Sequence, residues 1–180
     1  MTDMATAPTL ETKRLTLVPF RDAHLTERYV GWLNDPEVVR YSEQRHRRHT
    51  VESCRQFVAS FADGPSHLWA IVAKDKALGH VGNINSAVDA PNRTADVAIM
   101  IGEKKARGLG LGAEAWQAVV DYLLGPGGMR KVTAGTMAEN KAMLKIMKKT
   151  GMIEEGLRRG QFMLDGRQVD LVQVALFADR

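Results

Sequence analysis

Apolar residues recur along this chain with two periods, and the switches between them mark its elements. Arg14 to Phe20 alternates apolar and polar positions and reads as a first strand, with Pro19 near its end. Asp22 follows as a cap for a helix that carries Leu25, Tyr29, Trp32 and Leu33 at helical spacing. Asn34, Asp35 and Pro36 stop that helix. Thr50 caps a second helix, with Cys54, Phe57, Val58 and Phe61 as its apolar positions and Asp63-Gly64-Pro65 as its end. Three strands are predicted next, over 68–73, 77–83 and 94–101. Lys74-Asp75-Lys76 joins the first two as a hairpin, and residues 85–93 form a loop before the third. A third helix spans 111–124, with Trp116, Val119, Val120 and Leu123 on one face, and Gly125-Pro126-Gly127-Gly128 stops it. A strand over 131–137 leads to a fourth helix that begins at Asn140 and closes at Gly151. Strands over 156–164 and 167–177 flank Asp165-Gly166, a hairpin signal. Residues 1–10 read as a loose tail.

This order predicts one α/β domain of the α+β type over residues 1–180. Its sheet is mixed and mostly antiparallel, with six to seven strands and about four flanking helices. Composition changes little in that picture. The 44% apolar and 26% charged residues are ordinary for a globular domain, and a net charge of +4 suits small phosphorylated ligands without requiring nucleic acid. One cysteine, Cys54, excludes an intrachain disulfide. The first residues lack the basic and apolar regions of a signal peptide, and no apolar run approaches a membrane span. A cytoplasmic protein is expected, with no membrane partner. The basic cluster Arg45-His46-Arg47-Arg48-His49 reads as a solvated loop or a phosphate contact. Its two histidines have a metal-like spacing, but the arginines between them repel a cation, and no metal is expected.

The stretch from Ile99 to Trp116 joins a strand to a helix through a basic, glycine-rich turn. Glycines let a backbone approach a ligand, and the unpaired N–H groups of a helix start can hold phosphate. The turn lacks the spacing of a dinucleotide fingerprint or a P-loop.

The surroundings of this turn narrow its meaning. Ala95-Asp96-Val97 opens the strand before it, and Arg107-Gly108-Leu109-Gly110 precedes the helix that holds Glu114-Ala115. Ala138-Glu139-Asn140 starts the fourth helix, Gly151-Met152 closes it, and Asp165-Gly166 sits in the last hairpin. In this order and spacing, from Leu10 to about Phe177, the chain resembles the GNAT superfamily of acyl-CoA-dependent N-acetyltransferases. Within it, the chain looks like the ribosomal-protein and amino-sugar acetyltransferase branch. The family's phosphate motif fits in two registers, Arg107, Gly110 and Gly112, or Lys105, Gly108 and Gly110. The second keeps Glu114-Ala115 in the family's place and is preferred.

The resemblance implies acetyl-CoA as co-substrate, with its pyrophosphate on backbone N–H groups from Lys105 through Arg107, Gly108, Leu109 and Gly110 to Gly112. The strand from Asp96 to Ile101 would splay from residues 131–137, and backbone near Met100 and Ile101 would bind the pantetheine arm. Asn140 matches an asparagine that contacts CoA and is also an N-cap. Lys145, or Lys148, is placed to reach the 3′-phosphate. Asp96 stands where many relatives carry a catalytic glutamate, and His80 and Glu103 are further base candidates. Met147 occupies the place of a tyrosine that protonates the leaving thiolate in many relatives; either another group such as Tyr122 or a water serves instead, or the thiolate leaves unassisted.

Residues 29–41 resemble a segment of relatives that acetylate amino sugars on nucleotide carriers. In that reading Trp32 and Tyr41 stack on the acceptor, and Arg40 or Arg45–Arg48 meets a diphosphate; Tyr29 and Trp32 also read as core. The implied reaction is direct transfer of acetyl to a primary amine, a small-molecule acceptor. Protein N-termini, other small amines and a non-catalytic acyl-CoA-binding role are the alternatives. A homodimer, as in many relatives, is compatible with this picture.

Overall fold

A computed structural model describes residues 7–178. Its β-sheet has eight strands among these residues, in the order β1-β2-β3-β4-β5-β6-β8-β7. They are β1 (Leu10–Glu11), β2 (Leu15–Pro19), β3 (His67–Ala73), β4 (His80–Asp89), β5 (Thr94–Ile101), β6 (Lys131–Met137), β7 (Ile153–Leu164) and β8 (Arg167–Phe177). The helices are α1 (Glu27–Leu33), α2 (Val51–Ala59), α3 (Leu111–Leu124) and α4 (Lys141–Lys149). Neighbouring strands are antiparallel except β5 and β6, which α3 connects in parallel. This is the expected α+β architecture.

Helices cover both faces. Leu111, Ala115, Trp116, Val119, Val120 and Leu123 bury one side of α3. They pack with Trp69, Ile84, Val97 and Val132 of the sheet and with Met147 of α4 into the main core. Lys141, Lys145, Lys148 and Lys149 face outward, as an amphipathic helix requires. On the opposite face, Tyr29 and Trp32 of α1 and Cys54 of α2 pack over Phe20, Leu68 and Ala70.

Four boundaries differ from expectation. The predicted tail is partly structured: Ala7 is buried, Trp69 Nε1 donates to the Pro8 carbonyl at 2.7 Å, and β1 pairs with β2. That pairing adds the eighth strand; residues 1–6 lie outside the described residues. Thr26, not Asp22, caps α1, its hydroxyl accepting from Tyr29 N–H at 3.2 Å. Residues 22–24 form a single 3-10 turn, which the Arg21 N–H closes onto His24 Nδ1 at 3.0 Å. β4 runs over 80–89 rather than 77–83. The Asp75 carboxylate accepts from Ala77 N–H at 2.9 Å and holds residues 75–79 in a turn, while pairing with β5 carries the strand on to Asp89. β7 starts at Ile153, three residues before the predicted 156, because its first residues already pair with Ala175 and Val174.

Candidate functional site

The glycine turn leaves β5 and enters α3 through two left-handed residues, Gly108 (φ 75°) and Gly110 (φ 78°), a region L side chains avoid. The first backbone bond of α3 is Glu114 N–H to the Gly110 carbonyl at 3.2 Å. Among the described residues, the N–H groups of Leu111, Gly112 and Ala113 have no partner, so three donors and the positive end of a 14-residue helix face one spot. Gly112 needs neither a positive φ nor missing bulk for packing. A Cβ there would sit 3.4 Å from Ile101 Cγ1 and 3.6 Å from Ile146 Cδ1, ordinary contacts. The residues therefore fit a phosphate-bearing ligand laid against the turn.

Arg14 holds this turn in place from 95 residues away in the chain. Its Nη1 donates to the Leu109 carbonyl at 2.7 Å, and its Nε and backbone N–H donate to Glu114 at 2.7 and 2.8 Å. Thr12 Oγ1 adds a bond to Glu114 at 2.6 Å. Burial pushes the Glu114 carboxyl up, but the bonds from Thr12 and Arg14 outweigh it and hold its pKa below the usual value. Glu114 was legible as a motif residue; Thr12 and Arg14 were not, because nothing local marks them.

Beside the turn, the sheet opens. β5 and β6 pair only at Thr94–Lys131, Ala95–Val132 and Asp96–Thr133. From Val97 to Ile101, β5 continues along β4 alone. The expected splay is thus present, with Asp96 at its apex. The Asp96 carboxylate accepts from Thr133 Oγ1 at 2.8 Å. It is open to solvent, yet the surrounding wall desolvates it enough to raise its pKa, against the lowering effect of the Thr133 bond.

Asp96, Ala98 and Met100 share the strand face that looks toward α1 and α2. There a cavity of about 360 Å³ lies over Ala98 to Ile101, under Leu33 and Val38, and beside Tyr29 and Phe57. Asn83 and Asn85 of β4, opposite Met100 and Ala98, project into it. Asn83 is only 7% exposed. Among the described residues neither amide side chain has a hydrogen-bond partner in the protein, and their polar atoms stay open to the cavity, where a ligand can meet them. Arg47, Arg48 and His49 line the same cavity, and no carboxylate does. The two asparagines were not singled out in the sequence: Asn83 ends the strand predicted over 77–83 and Asn85 opens the loop predicted over 85–93, and only the pairing of β4 with β5 puts both over one cavity.

The other sequence candidates fall in several places. His80 lies outside the cavity wall, in a cluster with Phe20, His24, Tyr29 and Trp32 at ring separations of 5.2 to 6.0 Å. Burial, with the charges of His24 and Arg28, lowers its pKa to about 4, and its Nε2 donates to the Gly82 carbonyl at 2.9 Å. Such an imidazole is neutral at pH 7 and a weak base. Met100 and Ile101 lie on the splayed part of β5 and line the cavity. Lys105 is exposed beside the turn; Arg107 bends back, Nη2 donating to the Gly102 carbonyl at 3.3 Å. Asn140 caps α4 by accepting from Met143 N–H at 3.2 Å, and its amide donates to Thr136 Oγ1 at 3.0 Å. Lys145 is exposed on α4.

Glu103 is engaged at the turn with Arg28 (3.6 Å) and with Lys105 N–H (3.2 Å). Met147 is buried in the main core, and Tyr122 packs against His67 and Trp69 of β3, two strands from the splay. Trp32 is buried and Tyr41 packs against Met137, Leu164 and Val169; neither lines the cavity, whose aromatic groups are Tyr29 and Phe57.

Known proteins share this fold. The acetyltransferase (GNAT) domain family matches residues 14–153. An N-acetyltransferase 9-like protein of Nematostella vectensis is 24% identical over 152 residues, covering 77% of this chain and 74% of its own. Among solved structures, the ribosomal L7/L12 alpha-N-protein acetyltransferase RimL, in complex with coenzyme A, superposes with a TM-score of 0.84 at 16% identity, over 96% of this chain and 99% of its own. Spermidine N-acetyltransferase from Vibrio cholerae, in complex with CoA and spermine, superposes at 0.82 and 17% identity, over 93% and 97% of the two chains. The family match spans the turn, the splay and the start of α4, so the sequence, the fold and the site's geometry agree: this chain belongs to the GNAT family of acetyltransferases.

Proposed function

We propose that this acetyltransferase moves the acetyl group of acetyl-CoA to a primary amine held in the cavity between β5 and the α1–α2 face. The acceptor is an amino sugar on a nucleotide carrier. The observation that carries the acceptor assignment is the cavity's polar lining. It offers the unpartnered amides of Asn83 and Asn85, suited to sugar hydroxyls and an N-acyl group, and no carboxylate. Spermine, held by the Vibrio cholerae relative, is a polycation; here it would meet Arg47 and Arg48 without a counter-charge.

Each element then has a task. The free N–H groups of Leu111, Gly112 and Ala113 hold the pyrophosphate, and the edge of Val97 to Ile101 that turns away from β4 and has lost its β6 partner holds the pantetheine arm. Asn140 and Lys145 border the CoA side at α4. Acetyl-CoA supplies the thioester: the amine nitrogen bonds to its carbonyl carbon as the C–S bond breaks and the thiolate departs, and the nitrogen gives up a further proton to solvent as the amide forms. A β5 N–H at the splay polarises the carbonyl oxygen. The ammonium must first lose a proton, and Asp96 at the apex takes it, directly or through water. With Met147 in the core, solvent protonates the thiolate.

The test is coenzyme A thiol release measured with acetyl-CoA and a panel of amino-sugar nucleotides, peptides and polyamines. Turnover is expected with the sugar nucleotides. Turnover confined to peptides or polyamines overturns the acceptor assignment.

A further inference from the structure

The segment between α1 and α2 carries four arginines with two different fates. Arg40 pairs with Asp165 of the β7–β8 turn at 2.6 Å. Arg45 pairs with Glu43 at 2.7 Å, and its guanidinium donates to the carbonyls of Ser42 and Met163 at 2.9 Å each. These two are neutralised, and they tie the segment to the hairpin. Arg47 and Arg48 differ. Among the described residues, neither guanidinium has an acidic partner or a hydrogen bond.

Their position gives this a meaning. Arg47 and Arg48 line the acceptor cavity and also a second one of about 280 Å³, bounded further by Pro36, Arg40, Arg45 and Leu164. The two cavities share Leu33, Val39, Arg47 and Arg48 as a common wall. Among the described residues, Asp165 is the one carboxylate lining either, and Arg40 already occupies it. Two adjacent unpaired cations repel each other, and a multivalent anion between them relieves that repulsion. Guanidinium forks suit phosphoryl oxygens, each offering paired parallel N–H groups.

We infer that Arg47 and Arg48 form a phosphoryl subsite at the junction of the two cavities. The acceptor's diphosphate lies there, its amine-bearing part in the first cavity and its nucleoside in the second. This rests on the acceptor reading above and adds where the anion is held and by which of the four arginines.

The experiment is isothermal titration of UDP and of inorganic pyrophosphate into the protein, alone and saturated with acetyl-CoA. Both probes are expected to bind in either state, since the CoA turn lies at the start of α3. Arg47→Ala and Arg48→Ala should each weaken UDP binding by about tenfold or more, with lysine at either place restoring part of it. Arg55→Ala on exposed α2 should leave it unchanged. Steady-state kinetics provide the second arm. Arg47→Ala should raise the KM for an amino-sugar nucleotide about tenfold and leave that of the same unphosphorylated amino sugar unchanged.

The inference is overturned if UDP does not bind, if acetyl-CoA displaces it, or if both alanine variants bind it as the wild type does. UDP binding that depends on Arg47 and Arg48, in a protein that acetylates no sugar nucleotide, supports the subsite and removes the acceptor reading instead.

Discussion

Two residues, Asp96 and Arg14, carry testable weight at opposite ends of the site. As a base, Asp96 is active when deprotonated. Desolvation raises its pKa above the ordinary carboxylate value, so activity should fall on the acid side at a higher pH than a solvated aspartate would give. Asp96→Asn should lower kcat by about a hundredfold and abolish that acid limb, while the KM for acetyl-CoA stays near its starting value. A pH–rate profile checks this, and an unchanged limb rejects the role. Arg14 touches no reacting atom in this scheme; it positions the turn. Arg14→Ala frees the Leu109 carbonyl and leaves Glu114 with Thr12 and the backbone N–H of residue 14. The KM for acetyl-CoA should rise about tenfold with kcat and the acceptor KM little changed, for a stability loss of about 1 kcal/mol at this half-exposed pair. The places of Asp96 on its strand and of Asn140 as a helix cap were legible because their neighbours in sequence form motifs. Arg14 was not, because its partner Glu114 lies 100 residues on and no local pattern links them.

At the scale of elements, α2, α3 and α4 were legible from their caps and apolar stripes. Thr50 and Asn140 each accept the N-terminal bond expected of them. The start of α1 was not, since Asp22 and Thr26 are both competent caps and only packing chooses between them. Burying Tyr29 and Trp32 against Phe20 and Ala70 places the helix start at Glu27. The turn into α3 is the element most exposed to substitution. Space around Gly110 is not limiting, since the nearest atom to a methyl added there is Arg14 Nη2 at 3.5 Å, so Gly110→Ala tests backbone conformation alone. At φ 78° it should cost about 1–2 kcal/mol in urea unfolding, and Gly110→Asn less, since asparagine visits the left-handed region more readily. Equal stability of all three forms would mean that the turn relaxes to another conformation.

At the scale of the molecule, the aromatic cluster around His80 links folding to pH. Burial, more than the nearby His24 and Arg28, lowers its pKa from 6.5 to about 4. The unfolded chain therefore binds the proton first. Stability is full above pH 6.5 and declines as pH falls towards 4, by about 3 kcal/mol, with His24 adding in the same direction. His80→Phe should flatten the decline in urea unfolding between pH 7 and 4; parallel declines in both proteins would assign it to other groups. The same scale separates what was readable from what was not. Element order and the glycine turn follow from periods, caps and breakers, which act over a few residues, and they sufficed to point to the family. Strand pairing does not act locally. The loss of β6 partners beyond Asp96, the two unpartnered amides over one cavity, and the neutralisation of Arg40 and Arg45 but not Arg47 and Arg48 all depend on contacts between distant segments. Those contacts form only when burial of the two helix-covered faces brings the segments together. Neighbouring residues therefore wrote the glycine turn and the cap of α4, while the splay, the Arg14 clamp and the cavity came from packing.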